Sequence, residues 1–224
     1  MTSSLLTPLT LTDQNPVARG DSKLVFLHPH DQRLLVKVLN PVGKKARTSR
    51  IAWYQATSRV KSLRAFNREL QEFLVAEAHS NGQPNPLARI VGLVKTDLGL
   101  GMVVEKICRS DGQLAFSLSQ LTTKPRLYQK YLGLIAELVG EINRRHIVLG
   151  AFSPANIVLE ESATGKSRLV LIDGFGEDTL IPIYSLSKFA NTQRNLRKHR
   201  KLIHKLIRKS EEIVTADVLD ASHP

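Results

Sequence analysis

The sequence predicts an α+β chain in two lobes, a strand-rich one over residues 1–107 and a mainly helical one over residues 108–224. Three observations predict it. Short β-rich runs bounded by turn residues cluster before residue 107, with one long helical pattern among them. Helical periodicity then dominates the rest of the chain. Within that second part, from His146 to Gly176 (HIVLGAFSPANIVLEESATGKSRLVLIDGFG), two apolar strands end beside two polar groups, Asn156 and Asp173. A chain of 224 residues, 42% hydrophobic and 23% charged, can bury one good-sized core or two small lobes sharing a cleft.

The first forty residues alternate turn signals with β-rich runs: LTLTD, the turn NPVARGDS, KLVFLHP, the turn HD, and QRLLVKVLN. Three antiparallel strands are the natural reading. Gly20 falls in the first turn. Lys37 falls in the apolar run LLVKVL, where a buried lysine needs an acidic partner or a phosphate, while an edge-strand lysine would point into solvent. Both readings stand at this level. A helical pattern follows from about Ile51 to Ala78, with Leu63, Phe66, Leu70, Phe73 and Leu74 on one face. Glu69 lies beside that stripe, either as a solvated helix charge or as a partner for Lys37. After the breaker NGQPNP, two more strands, LARIVGLVKT and LGMVVEKI, meet at Asp97-Leu98-Gly99. The polar CRSDGQ reads as a linker. Helices are predicted from about Leu114 to Leu121 and from Pro125 to Arg145, the second with a stripe of Leu127, Tyr131, Leu134, Ile135, Leu138 and Ile142. The last segment, IPIYSLSKFANTQRNLRKHRKLIHKLIRK, is a basic amphipathic helix whose apolar positions are Leu186, Phe189, Leu196, Ile203 and Ile207.

Charge is placed in blocks. The net charge of +12 comes largely from Lys44–Arg68, with eight Lys/Arg and no acid, and from Lys188–Lys209, with nine and none. Such blocks are either solvated faces or surfaces for nucleic acid, anionic lipid or an acidic protein. The first residues, MTSSLLTPLT, have neither a basic region nor a long apolar run, so no signal peptide is expected. No apolar stretch approaches the roughly 18 to 20 residues of a membrane span. A single cysteine, Cys108, cannot form an internal disulfide and fits a reducing cytoplasm.

The pair Asn156 and Asp173 carries the chemistry. Protein-kinase-like folds hold magnesium on a nucleotide with a loop Asn and a DFG-type Asp, both hard oxygen donors. The kinase loop also carries an Asp five residues before the Asn, which accepts the substrate hydroxyl proton. Here that position is Ala151. The order strand-Lys37, helix-Glu69, loop-Asn156, strand-Asp173 matches the kinase order.

With those residues in place, the chain resembles the YrbL family, small bacterial kinase-like proteins named for the PhoP regulatory network. The resemblance runs nearly end to end through HPHDQRLLVKVL, NRELQEF, IVLGAFSPANIV and, most distinctively, DGFGEDTLIP followed by the basic SKF helix. It implies a truncated protein-kinase-like two-lobe fold, an antiparallel sheet and long helix in the first lobe and a mainly helical second lobe. The implied cofactor-binding residues are Gly20, Lys37, Glu69, Glu105, Asn156 and Asp173, the last two as ligands of Mg²⁺ on ATP. Departures from the kinase pattern weigh against full activity. One glycine, Gly20, stands where a phosphate loop has three, no APE-like element follows Gly176, and Ala151 has no ionisable group.

Three functions follow from this reading. The first is a nucleotide-binding pseudokinase or slow atypical kinase with a regulatory role and a protein partner. The second is an active atypical phosphotransferase in which another carboxylate, Glu177 or Asp178, replaces the missing base, or in which the substrate arrives already deprotonated. The third is a basic binding module for nucleic acid or anionic lipid, centred on residues 188–209.

Overall fold

A computed structural model of the chain describes residues 7–20, 22–40, 64–80, 82–162, 165–177 and 182–221. The basic segment before residue 64, and with it the first part of the helical pattern that includes Leu63, lies outside the described residues. The chain divides into two compact units: Met1–Asn67 with Arg89–Lys106, and Arg68–Ala88 with Ile107–Pro224.

The first unit is built on a five-stranded sheet of β1 (Ala18–Arg19), β2 (Lys23–His28), β3 (Asp31–Leu39), β4 (Ile90–Thr96) and β5 (Gly99–Glu105), in the order β1-β2-β3-β5-β4. Every neighbouring pair is antiparallel. Two of the four pairs are hairpins: β2 and β3 turn at Pro29-His30, and β4 and β5 turn at Asp97-Leu98. LTLTD does not form the first strand. Leu9 makes one parallel bridge to Thr96, Leu11 is buried, and the chain turns back at Gln14, whose N–H donates to the Leu11 carbonyl. The Asp97 carboxylate, accepting from the Thr12 hydroxyl (2.6 Å) and the Leu11 and Thr12 amides, pins this segment to the hairpin and is held below the usual carboxylate range mainly by the Thr12 hydroxyl. Leu9, Leu11, Phe26, Leu34, Val36, Val38, Val94 and Val103 form the core against the sheet.

Gly101 sits where that core meets β5. A methyl group there would lie 2.8 Å from Val36 Cγ1 and 3.1 Å from Thr96 Cγ2, closer than carbon atoms pack. Gly101→Ala is therefore expected to destabilise the protein by about 1–3 kcal/mol through overpacking, read as a lowered midpoint of urea unfolding with an unchanged slope.

The second unit contains α1 (Arg64–Ala78) from Arg68 onward, α2 (Leu118–Leu121), a 3₁₀ turn (Leu127–Tyr131), α3 (Leu132–Arg144), the hairpin β6 (Ile157–Glu161) and β7 (Ser167–Leu171), α4 (Ile183–Leu186) and the long basic α5 (Lys188–Ala221). Residues 86–88 extend the hairpin, since the Leu171 amide donates to the Pro86 carbonyl and the Ala88 amide to the Leu171 carbonyl. Ala88, Ile107, Val158 and Val170 are buried there together. The polar segment CRSDGQ is a closed turn rather than an open linker, with Cys108 bridged to Leu114 and Arg109 paired to Asp111 at 2.7 Å.

Three helical faces differ from the sequence reading. On α1 the buried side chains are Phe66, Glu69, Glu72, Phe73 and Ala76, whereas Leu74 is 57% exposed. The spacing is helical, but two glutamates occupy places on the inner face. Before α3, Leu127 is exposed because the 3₁₀ turn breaks the 3.6-residue register, and burial resumes at Tyr131, Ile135, Leu138 and Ile142. In the basic C-terminal segment Leu186, at the end of α4, and Phe189, on α5, are 78% and 76% exposed, and the buried series on α5 is Asn191, Asn195, Leu202, Leu206 and Ser210. Two asparagines lead that face because it docks on polar backbone rather than on an apolar surface.

Candidate functional site

The loop between α3 and β6 and the segment after β7 are stitched into one frame. The Gly150 amide donates to the Gly174 carbonyl and the Gly176 amide to the Val148 carbonyl, each at 2.8 Å, on either side of a bridge between Leu149 and Phe175. The Ile172 amide donates to the Asn156 carbonyl at 2.9 Å, which carries the β6–β7 pairing one step further. Asn156 and Asp173 therefore stand side by side at the end of the hairpin. Asn156 Nδ2 donates to the Ala151 carbonyl at 3.0 Å, which leaves its Oδ1 as the outward oxygen. Asp173 Oδ1 accepts from the Gly174 amide at 2.6 Å.

Gly174 makes this convergence possible. Its φ is +80°, a conformation that side chains resist, and a Cβ there would lie 2.3 Å from the Ala151 carbonyl oxygen and 2.8 Å from Asn156 Nδ2. The donors fit a hard divalent cation, which takes carboxylate and amide oxygens. Among the described residues no group of three or more His, Cys, Asp or Glu is placed to hold a metal ion. Magnesium is commonly bound through one or two protein oxygens and completes its shell with phosphate and water oxygens.

The frame is braced by α1 and α5. Glu72 Oε1 accepts from the Val148 amide at 2.6 Å, and the Arg68 carbonyl lies where a Gly176 side chain would be, 2.8 Å from the Cβ position. Asn191 and Asn195 each donate to the Ile147 carbonyl, at 2.9 and 3.0 Å, and Asn195 also donates to Asn143 Oδ1. Lys198 Nζ donates to the Gly150 carbonyl. Glu177 accepts from the Tyr184 and Ser185 amides and stands 3.6 Å from Arg194, whose guanidinium lies 4.2 Å over the Tyr184 ring. Both oxygens of Glu177 are thereby used to anchor α4 and α5.

Burial pushes the Glu72 carboxyl up to about 7; the Val148 hydrogen bond opposes this and the Glu177 charge adds to it. A carboxyl whose folded pKa lies above its usual 4.5 is favoured as the neutral acid in the fold. Its contribution is complete below about pH 4.5 and is lost as pH rises through about 7, a loss of roughly 3 kcal/mol. Glu72→Gln keeps an oxygen for the Val148 amide and removes the titration. Urea unfolding between pH 5 and 8 should accordingly show a shallower fall of stability in Glu72→Gln than in wild type, and identical slopes would remove Glu72 as the cause.

The other predicted residues have definite places. Lys37 lies in β3, opposite Val25 and Met102 and away from the sheet edge, and is 6% exposed. The solvent-facing reading is excluded. Glu69 is 3% exposed, which excludes the solvated reading for it as well. Gly20 closes a tight turn, its amide on the Lys23 carbonyl and its carbonyl accepting from Asn40 Nδ2. Glu105 ends β5 with its side chain 42% exposed and 3.8 Å from Arg89. Gly20, Lys37 and Glu105 belong to the first unit, and Glu69, Asn156 and Asp173 to the second. Sequence reasoning missed Glu72, Asn191 and Asn195. The four-residue spacing of the asparagines was the available signal.

Comparison with known proteins places the chain. The model of the family "PhoP regulatory network protein YrbL" matches residues 9–207. The chain belongs to the YrbL family. YrbL of Escherichia coli (strain K12) and YrbL of Shigella flexneri, both described as uncharacterized, are each 24% identical over 199 residues, covering 87% of this chain and 86% of theirs. Among solved structures, a double mutant of the Mycobacterium tuberculosis PknI kinase domain aligns with 71% of this YrbL-family chain at 16% identity and a TM-score of 0.44. A single mutant of the same domain aligns with a TM-score of 0.43. The chain spans 56% and 57% of the length of those two.

Proposed function

We propose that this YrbL-family chain is a kinase-like protein that binds Mg-ATP, acting as a pseudokinase or slow atypical kinase in a regulatory role. The observation that carries the reading is the frame that sets Asn156 beside Asp173, with Ala151 where a general base would stand. Asn156 and Asp173 would hold the magnesium ion, which supplies charge neutralisation on the phosphates. Lys37 and Glu69 enter through their place in the sequence order, as the phosphate contact and the residue that positions it. Gly20 and Glu105 complete the proposed cofactor set. The regulatory role, with an unidentified protein partner, rests on the family's description, and ATP as ligand points to the cytoplasm.

Isothermal titration with Mg-ATP tests the reading. Lys37→Met keeps the apolar stem and removes a charge whose hydrogen bond is worth about 1.5–3 kcal/mol, so affinity should fall roughly 10- to 150-fold. Unchanged affinity in Lys37→Met would take this lysine out of the site.

One observation favours a second reading, a polyanion surface on α5. Arg197, Lys201, Lys205 and Arg208 are all exposed on it. No helix among the described residues is long and apolar enough to cross a membrane, so a lipid partner would meet this surface from outside the bilayer.

A further inference from the structure

Beside Ala151 the second unit has a cleft of about 400 Å³, lined by Ala151 and Phe152 from the loop and by Arg194, Arg197, Lys198 and Lys201 from α5. These cations fall at i, i+3, i+4 and i+7, on one face over about 10 Å of helix axis. Among the described residues no acid lines the cleft. Like charges at i, i+4 destabilise a helix, and here two such pairs, Arg194/Lys198 and Arg197/Lys201, occupy the same wall. Lys198 and Arg194 hold the wall in place through Gly150 and Glu177, while Arg197 and Lys201 are exposed. A compact anion would relieve the repulsion. Guanidinium and ammonium groups together suit phosphate, and the volume is that of a small-molecule site rather than a macromolecular groove.

The position of the cleft matters as much as its charge. Ala151 lines it and also accepts the hydrogen bond from Asn156, so a ligand there sits beside the proposed metal residues. We propose that this cleft receives the phosphate group of a small phosphorylated acceptor, which takes the γ-phosphoryl group of ATP on an oxygen that is already ionised. This rests on the Mg-ATP reading and names its acceptor. In the step, an acceptor phosphate oxygen forms a bond to the γ-phosphorus as the bond from that phosphorus to the β–γ bridging oxygen breaks. The products are a diphosphate ester and ADP. A doubly charged phosphate and fully ionised ATP give a triply charged diphosphate and ADP carrying three charges, so total charge is conserved and no proton moves. An aspartate at position 151 would have no proton to take and would repel the acceptor. Alanine is the residue such chemistry calls for.

The test uses the full chain and inorganic phosphate, the simplest acceptor of this class, at constant ionic strength. Calorimetric titration should show phosphate binding to wild type, weakened at least tenfold in Arg197→Gln/Lys201→Gln and unchanged in Lys205→Gln/Arg208→Gln, with circular dichroism confirming that both variants fold. Phosphorus NMR with Mg-ATP and phosphate should show pyrophosphate and ADP forming in equal amounts. Absent phosphate binding, or binding equal in both variants, overturns the cleft as a site. Mg-ATP binding without phosphate binding overturns the cleft and leaves the nucleotide reading standing, whereas phosphate binding without Mg-ATP binding overturns the acceptor role together with that reading. Tight binding of single-stranded RNA that displaces phosphate and depends equally on Lys205 and Arg208 would overturn it in favour of an extended polyanion.

Discussion

Ala151→Asp is expected to raise phosphoryl transfer to serine or threonine hydroxyls by about 10²- to 10⁴-fold, the range a positioned general base contributes. Residue 151 precedes Asn156 by five positions, as the catalytic Asp does in kinases, and its carbonyl is already hydrogen-bonded to that Asn. The rest of the frame does not depend on the Ala151 side chain, which is exposed. The same substitution places a negative charge in the cleft walled by Arg197 and Lys201, so inorganic phosphate should bind Ala151→Asp more weakly than wild type. Autophosphorylation measured beside phosphate affinity separates the two effects. Unchanged turnover in a variant that still binds Mg-ATP would mean that the loop does not place residue 151 against an acceptor. Glu177 offers little as a substitute base, because its oxygens serve the Tyr184 and Ser185 amides and Arg194.

Much of the fold was legible because its signals are local. The strands β2 to β7 follow from β-rich runs between turns, and the Asp97-Leu98 hairpin from its turn residues. LTLTD failed as a strand because its alternation was satisfied by a single bridge and two buried leucines, a choice made by the distant Asp97 carboxylate. The burial of Lys37 was one of two open readings, since a pattern cannot tell an inner strand from an edge. At the candidate site, Asn156, Asp173 and Ala151 were readable from spacing. What escaped was whatever depends on polar side chains facing inward. Glu72 carries a carboxyl on the buried side of α1, and Asn191 and Asn195 dock α5 on the Ile147 carbonyl, where a search for apolar stripes chose Leu186 and Phe189 instead. The cleft beside Ala151 likewise needed α5 to be set against the loop before its four cations could be seen as one wall.

The central claim, a Mg-ATP site at Asn156 and Asp173, is tested most directly by thermal and urea unfolding of wild type and Asp173→Ala, each with ATP in the presence and absence of magnesium. Ligand that binds only the folded state must raise its stability, by about 2.7 kcal/mol at a hundredfold excess over Kd. Wild type should gain that stabilisation with magnesium present and lose most of it when the metal is removed. Asp173→Ala should show the same small effect under both conditions. Equal stabilisation of wild type and Asp173→Ala by ATP, with and without magnesium, would contradict the assignment.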